Sequence, residues 1–508
     1  MLASAATLTG CAVPADPGWV PPSWPAAAVA EVSPPAVVDA TTVPGLRGER
    51  VRNDAVGLQS RVMVLPGSAP MNERVREVVR AQVTDRAARA GVSFSPQVFP
   101  RGAGMADRGC VQGSTLRPAG EVLADPVLGP AGGVGTAVVC DIVLATGPYL
   151  GQRVRVVQGD GQVVGDEAST LYTHTGTGET VTAADLWLDG AAARLWTDVV
   201  EVLRREHGGL SLAPVEAPDA AGLDVLRRAL DTTVVDPQGQ LLIEVPAGVS
   251  APELAGLGVE ATPAPITIAV APATARDLVT PFAAAMVAAV GSGEAFLPPP
   301  TVPAGEEEVD CGLLACVALT YDDGPSELTS GILDVAADRR ASVTFFALGQ
   351  NARPYADVLR RAVEEGHLVE NHSWDHPQLT DLTPGQVTTQ IRNTDAAITA
   401  ATGERPVVFR PPYGAYDAQT LAAAGKAAIL WDVDTLDWQG PSDDELIARA
   451  VDRPTPGSIV LQHDIHQNTA RTAGAVYDGL ADRGFELVNL RQLFGGALPD
   501  SGAVRSAR

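Results

Sequence analysis

The sequence has few basic residues for its size. Among its 508 residues, 36 are Lys or Arg and 61 are Asp or Glu, which gives a formal net charge of −25 at pH 7. This charge repels phosphate backbones and anionic lipid surfaces, so we expect no nucleic-acid partner. A neutral or cationic ligand suits such a protein better. The length exceeds what one hydrophobic core can serve, which predicts two domains joined by linkers.

Long apolar runs are missing as well. No run of 18 apolar residues follows the N-terminal stretch, so we expect no membrane-spanning segment. That stretch ends in Leu8-Thr9-Gly10-Cys11, which resembles the lipobox of a bacterial lipoprotein signal, where the cysteine is lipidated. The positively charged start of such a signal is missing, so either the true start codon lies upstream or Cys11 is an incidental cysteine in a secretory remnant. We expect a protein at the extracellular face of the cell envelope, secreted or lipid-anchored, whose contact with a membrane is through that anchor.

Cysteine is also scarce, with five in the chain. Apart from Cys11, the cysteines form two local pairs, Cys110 with Cys140 and Cys311 with Cys316. Outside the cytosol this pattern predicts two disulfides. The alternative for Cys311 and Cys316, half of a zinc site, lacks a second cysteine or histidine pair nearby.

Proline and glycine mark the predicted domain boundaries. Residues 1–45 combine the apolar start with a Pro- and Ala-rich spacer, and residues 291–310 form a linker of Gly, Pro and acidic residues. Between them, residues 46–290 mix helical and strand patterns without a βαβ order, including a hairpin signal at Gly159-Asp160-Gly161. We predict an α+β domain there, with no catalytic cluster of its own.

From residue 311 to 496 the pattern changes to strands separated by amphipathic helices. The predicted strands are 317–321, 343–347, 368–371, 407–410, 429–433, 459–462 and 485–490. This alternation predicts an α/β domain with a parallel sheet, either open or closed into a barrel, followed by a tail at 497–508.

Ionisable residues follow most of these strands, and in such folds the working residues lie at the carboxyl ends of strands. Asp322 and Asp323 follow the first strand, and His372 and His376 follow the third. Because these histidines are four residues apart, one helical turn would place both imidazoles on one side. Two imidazoles and a carboxylate would give a divalent metal three N/O ligands and leave a position for water. Taken alone, a histidine pair with this spacing is more often two ordinary surface residues than a metal site.

Five segments, in this order, resemble the motifs of the polysaccharide deacetylases known as carbohydrate esterase family 4. They are Thr320-Tyr-Asp322-Asp323-Gly324, His372-Ser-Trp-Asp-His376, Arg410-Pro-Pro-Tyr413-Gly414, Asp432-Val-Asp434-Thr-Leu-Asp437-Trp438 and Ile459-Val-Leu461-Gln-His463-Asp464. The resemblance covers residues 311–496 and implies a distorted (β/α) barrel of about seven parallel strands. Tyr321 stands where the family usually has phenylalanine.

On the metal side, the resemblance implies that Asp323, His372 and His376 bind a divalent ion. That ion is usually zinc in this family, and cobalt would also suit the site. Asp322 would be the general base that takes a proton from the attacking water. The backbone N–H of Tyr413, with the metal, would stabilise the oxyanion.

On the other side, the resemblance implies that His463 is the general acid that protonates the leaving amine. Asp437 would orient His463, and Arg410 would hold Asp322. Trp438 and Leu461 would form the pocket for the acetyl methyl group, although side chains of these types are also common in cores.

The implied function is a metal-dependent N-deacetylase of N-acetylglucosamine or N-acetylmuramic acid in peptidoglycan. Chitin oligomers, poly-N-acetylglucosamine and acetylxylan are alternative substrates, and a non-catalytic wall-binding or lysozyme-sensing protein is an alternative of another class. Residues 180–186 and 265–270 resemble an extracellular domain found in some peptidoglycan deacetylases and in a lysozyme-responsive anti-sigma factor. A lysozyme-like protein is therefore a candidate partner of residues 46–290.

Overall fold

The computed structural model describes residues 29–32, 37–206, 214–254 and 261–507. Cys11 and most of the predicted spacer lie outside these residues. Within them, no helix is both long enough and apolar enough to cross a bilayer. The elements form an N-terminal region before residue 300 and a C-terminal region after it.

The N-terminal region contains two sheets. Its strands are β1 (Val29–Val32), β2 (Arg47–Asn53), β3 (Leu58–Val64), β4 (Gly135–Thr146), β5 (Tyr149–Gly159), β6 (Val163–His174), β7 (Thr180–Thr182), β8 (Val234–Val235), β9 (Leu241–Val245) and β10 (Ile266–Val270). The larger sheet has the order β2-β3-β4-β5-β6-β7 and the smaller the order β1-β10-β9-β8. The predicted hairpin is confirmed, because β5 and β6 pair antiparallel up to Gly159 and Val163. Strand β1, which falls in the predicted spacer, pairs with β10.

Helices cover these sheets and close their cores. They are α1 (Ala69–Ala90), α2 (Ala119–Ala124), α3 (Ala191–Glu206), α4 (Ala220–Asp231), α5 (Pro272–Ala275) and α6 (Pro281–Ser292). The helical spacing of Val75, Val79 and Val83 puts all three on the buried face of α1. Gly91, in the left-handed conformation, ends that helix. The predicted α+β pattern therefore agrees with the structure.

The C-terminal region is built on parallel strands. They are β11 (Ala315–Asp322), β12 (Thr344–Ala347), β13 (Leu368–Asn371), β14 (Ala428–Ile429), β15 (Val433–Asp434), β16 (Ser458–His463), β17 (Phe485–Leu487) and β18 (Ala503–Val504). The central order is β13-β12-β11-β16-β15, with β17 also beside β11. The helices are α7 (Thr329–Asp338), α8 (Gly349–Ala352), α9 (Ala356–Glu364), α10 (Pro384–Thr402), α11 (Ala418–Ala424), α12 (Asp443–Asp452), α13 (Gln467–Asp482) and α14 (Leu490–Leu493).

The strand prediction for 407–410 is wrong. In this segment Phe409 alone makes bridges, one to Asn371 and one to Ala428. The N–H groups of Val407 and Val408 donate instead to the carboxylate of Glu370, at 2.8 and 3.1 Å. The side-chain carboxylate of Glu370 therefore accepts the hydrogen bonds that backbone carbonyls of a neighbouring strand would otherwise accept.

Two other predicted strands also differ from the structure. The strand expected at 429–433 is divided into β14 and β15, and the one expected at 485–490 ends at residue 487, before α14 begins. Strand β18 lies in the predicted tail and pairs with β14.

The two regions meet at the end of the parallel sheet where β11 and β17 begin. Glu486 of β17 lies between Arg47 and Arg108, and both arginines pair with its carboxylate. Leu313 and Leu314, just before β11, are buried in the core of the larger N-terminal sheet. The structure joins Cys311 to Cys316 at this junction by a disulfide, and joins Cys110 to Cys140 by another. The carboxyl ends of the parallel strands are therefore left free at the opposite end.

Candidate active site

The predicted site residues converge at the carboxyl ends of the parallel strands. Asp322 ends β11 and His463 ends β16, and the strand register makes them direct neighbours. Asp322, His372, Arg410 and Asp437 are each at most 2% exposed. Charged and polar groups buried in this way need hydrogen-bond partners or a ligand.

Asp323, His372 and His376 form a group that could hold a metal ion. Oδ1 of Asp323 lies 3.4 Å from Nε2 of His372 and 3.5 Å from Nε2 of His376. Ligand atoms bound at ~2.0–2.1 Å to a tetrahedral ion lie ~3.3–3.4 Å apart, so these separations fit a shared ion. The same Oδ1 is buried and has no hydrogen-bond partner among the described residues. The donor set and its spacing therefore fit a divalent metal.

The orientation of His372 supports this assignment. Its Nδ1 lies 2.8 Å from the carbonyl oxygen of Arg410, to which it donates, and this leaves the Nε2 lone pair facing Asp323. Burial raises the pKa of the Asp323 carboxyl, but the neighbouring His372 and His376 outweigh burial and lower it to about 2. Asp323 is thus ionised, as a metal ligand must be.

The predicted helical turn between the two histidines is wrong, because residues 372–376 form an irregular loop. Ser373 has φ 69° and His376 has φ 64°, both in the left-handed region. The N–H of Ser373 donates to Oδ1 of Asn371, and the N–H of His376 donates to Oγ of Ser373. These side chains turn the backbone sharply, and the turn replaces helical spacing as the reason why the imidazoles converge.

Strained backbone is concentrated at this site. In the described part of the chain, six non-glycine residues have positive φ, and five of them lie in the loops at the site. These five are Asp323, Ser373, His376, Tyr413 and Leu436. Such conformations cost free energy and persist where the surrounding structure imposes them, which is common at functional sites.

Asp322 has different partners from its neighbour Asp323. Nη1 of Arg410 donates to Oδ1 of Asp322 at 2.8 Å and to Oγ1 of Thr320 at 2.7 Å. The guanidinium also donates to two backbone carbonyls and stacks 4.1 Å from the ring centre of Phe346. Burial lowers the pKa of Arg410, and the charge of Asp322 opposes that shift. Arg410 therefore fixes one oxygen of Asp322 and leaves the other, Oδ2, 3.7 Å from Nε2 of His372.

His463 and Asp437 form a second charged pair. Nδ1 of His463 donates to Oδ1 of Asp437 at 2.8 Å, and Oδ2 of Asp437 accepts from the N–H of His463 and from Oγ1 of Thr469. Burial alone would lower the pKa of His463. The hydrogen bond to Asp437 and the charges of Asp437, Asp322 and Asp323 outweigh burial and raise this pKa to about 9. The imidazolium is thus the stable form at neutral pH.

The remaining predicted residues lie around these groups. Tyr413 has φ 60°, and its N–H makes no hydrogen bond to any residue that the structure describes. Its ring lies 4.6 Å from that of His376. The Trp438 side chain is 54% exposed, so it is not a core residue, whereas Leu461 is buried on β16.

Comparisons with known proteins identify the family of this chain. A model of the polysaccharide deacetylase family matches residues 314–430. The chain is 34% identical over 194 residues to a chitooligosaccharide deacetylase of Rhizobium leguminosarum bv. trifolii, which spans 35% of this chain and 90% of that protein. The chain belongs to the polysaccharide deacetylase family. The family predicted from the five motifs is thereby confirmed.

Larger members of the polysaccharide deacetylase family are similar to this chain over a smaller share of their length. The chain is 40% identical over 180 residues to the peptidoglycan-N-acetylglucosamine deacetylase PgdA of Listeria monocytogenes serotype 1/2a (strain 10403S), covering 35% of this chain and 39% of PgdA. It is 36% identical over 178 residues to the peptidoglycan-N-acetylmuramic acid deacetylase PdaC of Bacillus subtilis (strain 168), covering 35% and 38%. A solved structure described as T48 deacetylase with substrate is 40% identical, with coverage of 39% of this chain and 99% of that chain and a TM-score of 0.38.

The deacetylase motifs did not reveal every residue at the site. Thr469 holds Asp437, but a threonine near a helix start gives no catalytic signal in a sequence. Asp464, the last residue of the fifth motif, is buried beside the backbone of Gly324 and accepts a hydrogen bond from Thr329. Burial raises the pKa of Asp464 to about 7. His466 lies with its ring centre 5.7 Å from that of His463.

Proposed function

We propose that this protein is a divalent-metal-dependent N-deacetylase that hydrolyses the acetamide of N-acetylglucosamine or N-acetylmuramic acid in peptidoglycan and releases acetate. The observation that carries the proposal is the pairing of two unlike groups at the carboxyl end of the parallel sheet. One is a set of metal ligands with a free carboxylate beside it, and the other is an imidazolium held by a carboxylate. Amide hydrolysis needs both, because water must be activated and the amine must leave protonated.

Each residue then has a defined task. A metal at Asp323, His372 and His376, which we propose is Zn²⁺ with Co²⁺ as a substitute, would polarise the carbonyl and lower the pKa of a water. Oδ2 of Asp322, the oxygen that Arg410 leaves free, takes the proton from the attacking water.

The leaving amine and the oxyanion are served by other residues. As the C–N bond breaks, His463 gives its Nε2 proton to the nitrogen, and Asp437 stabilises the imidazolium until then. The unpaired N–H of Tyr413 donates to the oxygen that becomes negative.

The rim of the site fits a sugar polymer. Among the described residues, the exposed Trp and Tyr side chains are Trp374, Tyr413, Tyr416 and Trp438, and all four lie on loops at this site. Exposed apolar clusters mark binding surfaces, and aromatic rings supply flat apolar area to the apolar faces of sugar rings. Peptidoglycan is the preferred polymer because PgdA and PdaC are peptidoglycan deacetylases by name.

We also propose the finer features that the resemblance implies. The segment 428–434 connects the two edges of the central sheet. Ala428 bridges to Phe409, which bridges to Asn371 of β13, and β15 pairs with β16. This connection supports a distorted barrel of about seven strands. The two disulfides favour an oxidising compartment, in line with an extracellular protein that is secreted or anchored through Cys11. A lysozyme-like partner of the N-terminal region remains a prediction.

The test is acetate release by the purified full-length protein from peptidoglycan, chitin oligomers and acetylated xylan, compared side by side. We expect release from peptidoglycan that a chelator abolishes and that Zn²⁺ or Co²⁺ restores. Mass spectrometry of the products identifies which sugar has lost its acetyl group. Metal-loaded protein that releases no acetate from any of the three polymers would support the non-catalytic, wall-binding alternative.

A further inference from the structure

Lys426 is the only lysine among the 508 residues of the chain. All other members of its 36 Lys and Arg residues are arginine. It follows α11 and is nearly buried, with a side chain 9% exposed. Its Nζ donates to Oδ1 of Asp395 at 2.6 Å and to the carbonyl oxygen of Pro406 at 2.5 Å. Asp395 is 10% exposed, so this pair is an ion pair largely withdrawn from water.

The same oxygen of Asp395 also accepts a hydrogen bond from the last residue of β13, directly before the loop that carries His372 and His376. Nδ2 of Asn371, which is fully buried, donates to Oδ1 of Asp395 at 2.8 Å and to the carbonyl oxygen of Ile391 at 2.9 Å. An ionised carboxylate only accepts hydrogen bonds, so it fixes which end of the Asn371 amide faces it.

The orientation of this amide decides how the loop begins. With its NH₂ group toward Asp395, Asn371 presents Oδ1 to the N–H of Ser373, which donates to it at 2.8 Å. Ser373 is buried, has φ 69°, and its Oγ accepts from the N–H of His376. A rotated amide would put NH₂ against the N–H of Ser373 and remove the hydrogen bond that supports this strained turn.

We infer that Lys426 is a positioning residue for the metal ligands, acting through Asp395 and Asn371 on the loop from His372 to His376. Its ammonium pairs with Asp395 and holds it in place, and Asp395 keeps Asn371 oriented. The inference rests on the proposed function for the metal site. Residues that support metal ligands through hydrogen bonds typically change metal affinity when they are altered.

The test measures Zn²⁺ affinity of the metal-free full-length protein by competition with a chromophoric chelator, without substrate. We expect Lys426→Met to weaken binding by between about 10-fold and 100-fold. Arg76→Met is the matched control, because Arg76 and Glu49 form a pair that is 2% exposed on both sides but lies in the N-terminal region. The control should lower thermal stability and leave the Zn²⁺ affinity unchanged.

Two double variants separate positioning from stability. In Lys426→Met/Asp395→Asn, the new amide oxygen still accepts from Asn371 and no charge is buried, so affinity should return to within about threefold of wild type. In Lys426→Met/Asp395→Leu no charge is buried either, so the melting temperature should recover, but Asn371 loses the Asp395 acceptor and keeps only the carbonyl of Ile391, so affinity should stay low.

Several outcomes would overturn the inference. They are a Lys426→Met protein that binds Zn²⁺ like wild type, a Lys426→Met/Asp395→Leu protein whose affinity recovers with its stability, an equal loss in Arg76→Met, or a wild type that binds no metal. Failure of the proposed function looks different: the variants change Zn²⁺ affinity as expected while the wild type releases no acetate.

A second measurement tests the ion pair of Lys426 and Asp395 directly. Because Lys426 is the only side-chain amine, its rate of acylation by an N-hydroxysuccinimide ester shows whether this amine is paired and buried. A rate equal to that of free lysine would contradict it.

Discussion

His376 and His463 are imidazoles at the same end of one parallel sheet, yet their surroundings move their pKa values in opposite directions. Burial and the neighbouring His372 lower the pKa of His376. His463 is also partly buried, but its Nδ1 donates to Asp437, and that hydrogen bond with the nearby carboxylate charges raises its pKa to about 9. An imidazole that binds a metal must be neutral and one that acts as a general acid must carry its proton, so each environment favours the form that its proposed role requires.

The proposed metal ligands (the metal side) and the pair of His463 and Asp437 (the acid side) also differ in what holds them in place. The metal side depends on strained backbone, with positive φ at Asp323, Ser373 and His376. The acid side depends on side-chain hydrogen bonds, which use both oxygens of Asp437. Substitutions on the metal side should therefore act on ion binding, and substitutions on the acid side should act on proton transfer.

The largest expected effect separates the two adjacent carboxylates. Asp322→Asn keeps the size of the side chain but removes the base, and we expect kcat for acetate release to fall by ~10³–10⁴-fold. Metal content, measured by elemental analysis of the purified protein, should stay at the wild-type level because Asp322 is not a proposed ligand.

Asp323→Asn is the matched comparison at the next position. It should lose activity together with metal, because it removes the carboxylate ligand of the set. If Asp322→Asn lost the metal and Asp323→Asn kept it, the roles of the two acids would have to be exchanged.

The next effect concerns pH and the acid side. Because His463 gives up a proton, kcat/KM should fall as pH rises through its pKa, which is about 9 in this structure. A bound cation beside Asp323 opposes the carboxylate charges, so the alkaline limb of the profile should lie at or below that value. Asp437→Asn removes the main charge that raises the pKa, and the limb should move toward the ordinary histidine value of ~6.5.

The measurement is the pH profile of kcat/KM for acetate release between pH 5 and 10, values chosen to bracket ~6.5 and the raised pKa. Asp443→Asn serves as the control, since it removes a surface carboxylate that pairs with Arg471 and not with His463. An alkaline limb that stays in place in Asp437→Asn would mean that His463 is not the acid that titrates there.

Sequence patterns predicted which residues form the site better than they predicted the local structure that holds those residues. Parallel strands bring their carboxyl ends together, so Asp322, His372 and His463 could be expected to meet from the order of strands alone. The loop after β13 was predicted as a helical turn, because spacing alone does not reveal that Asn371 captures the N–H of Ser373. The pattern also could not show that the N–H of Val407 donates to the side chain of Glu370 instead of to the backbone of a neighbouring strand.

Partners that are distant in sequence were beyond prediction for the same reason. Lys426 reaches Asp395 from 31 positions away, and Thr469 reaches Asp437 from 32. Neither residue stands in a pattern of its own, since a lysine after a helix and a threonine near a helix start are ordinary features. Only the fold brings them to the groups that they hold.

The smallest expected effect tests how strongly the acid side depends on its hydrogen bonds. Thr469→Val keeps the shape of the side chain and removes the hydrogen bond from Oγ1 to Asp437. A hydrogen bond to a charged group contributes about 1.5–3 kcal/mol, and the other hydrogen bonds to Asp437 remain, so we expect kcat to fall by about 10-fold. KM should not change, because Thr469 is fully buried and offers no surface to a substrate. Thr469→Ser restores the hydroxyl and should recover most of kcat, whereas a role in packing alone would leave serine as impaired as valine or more so, since serine lacks the methyl group.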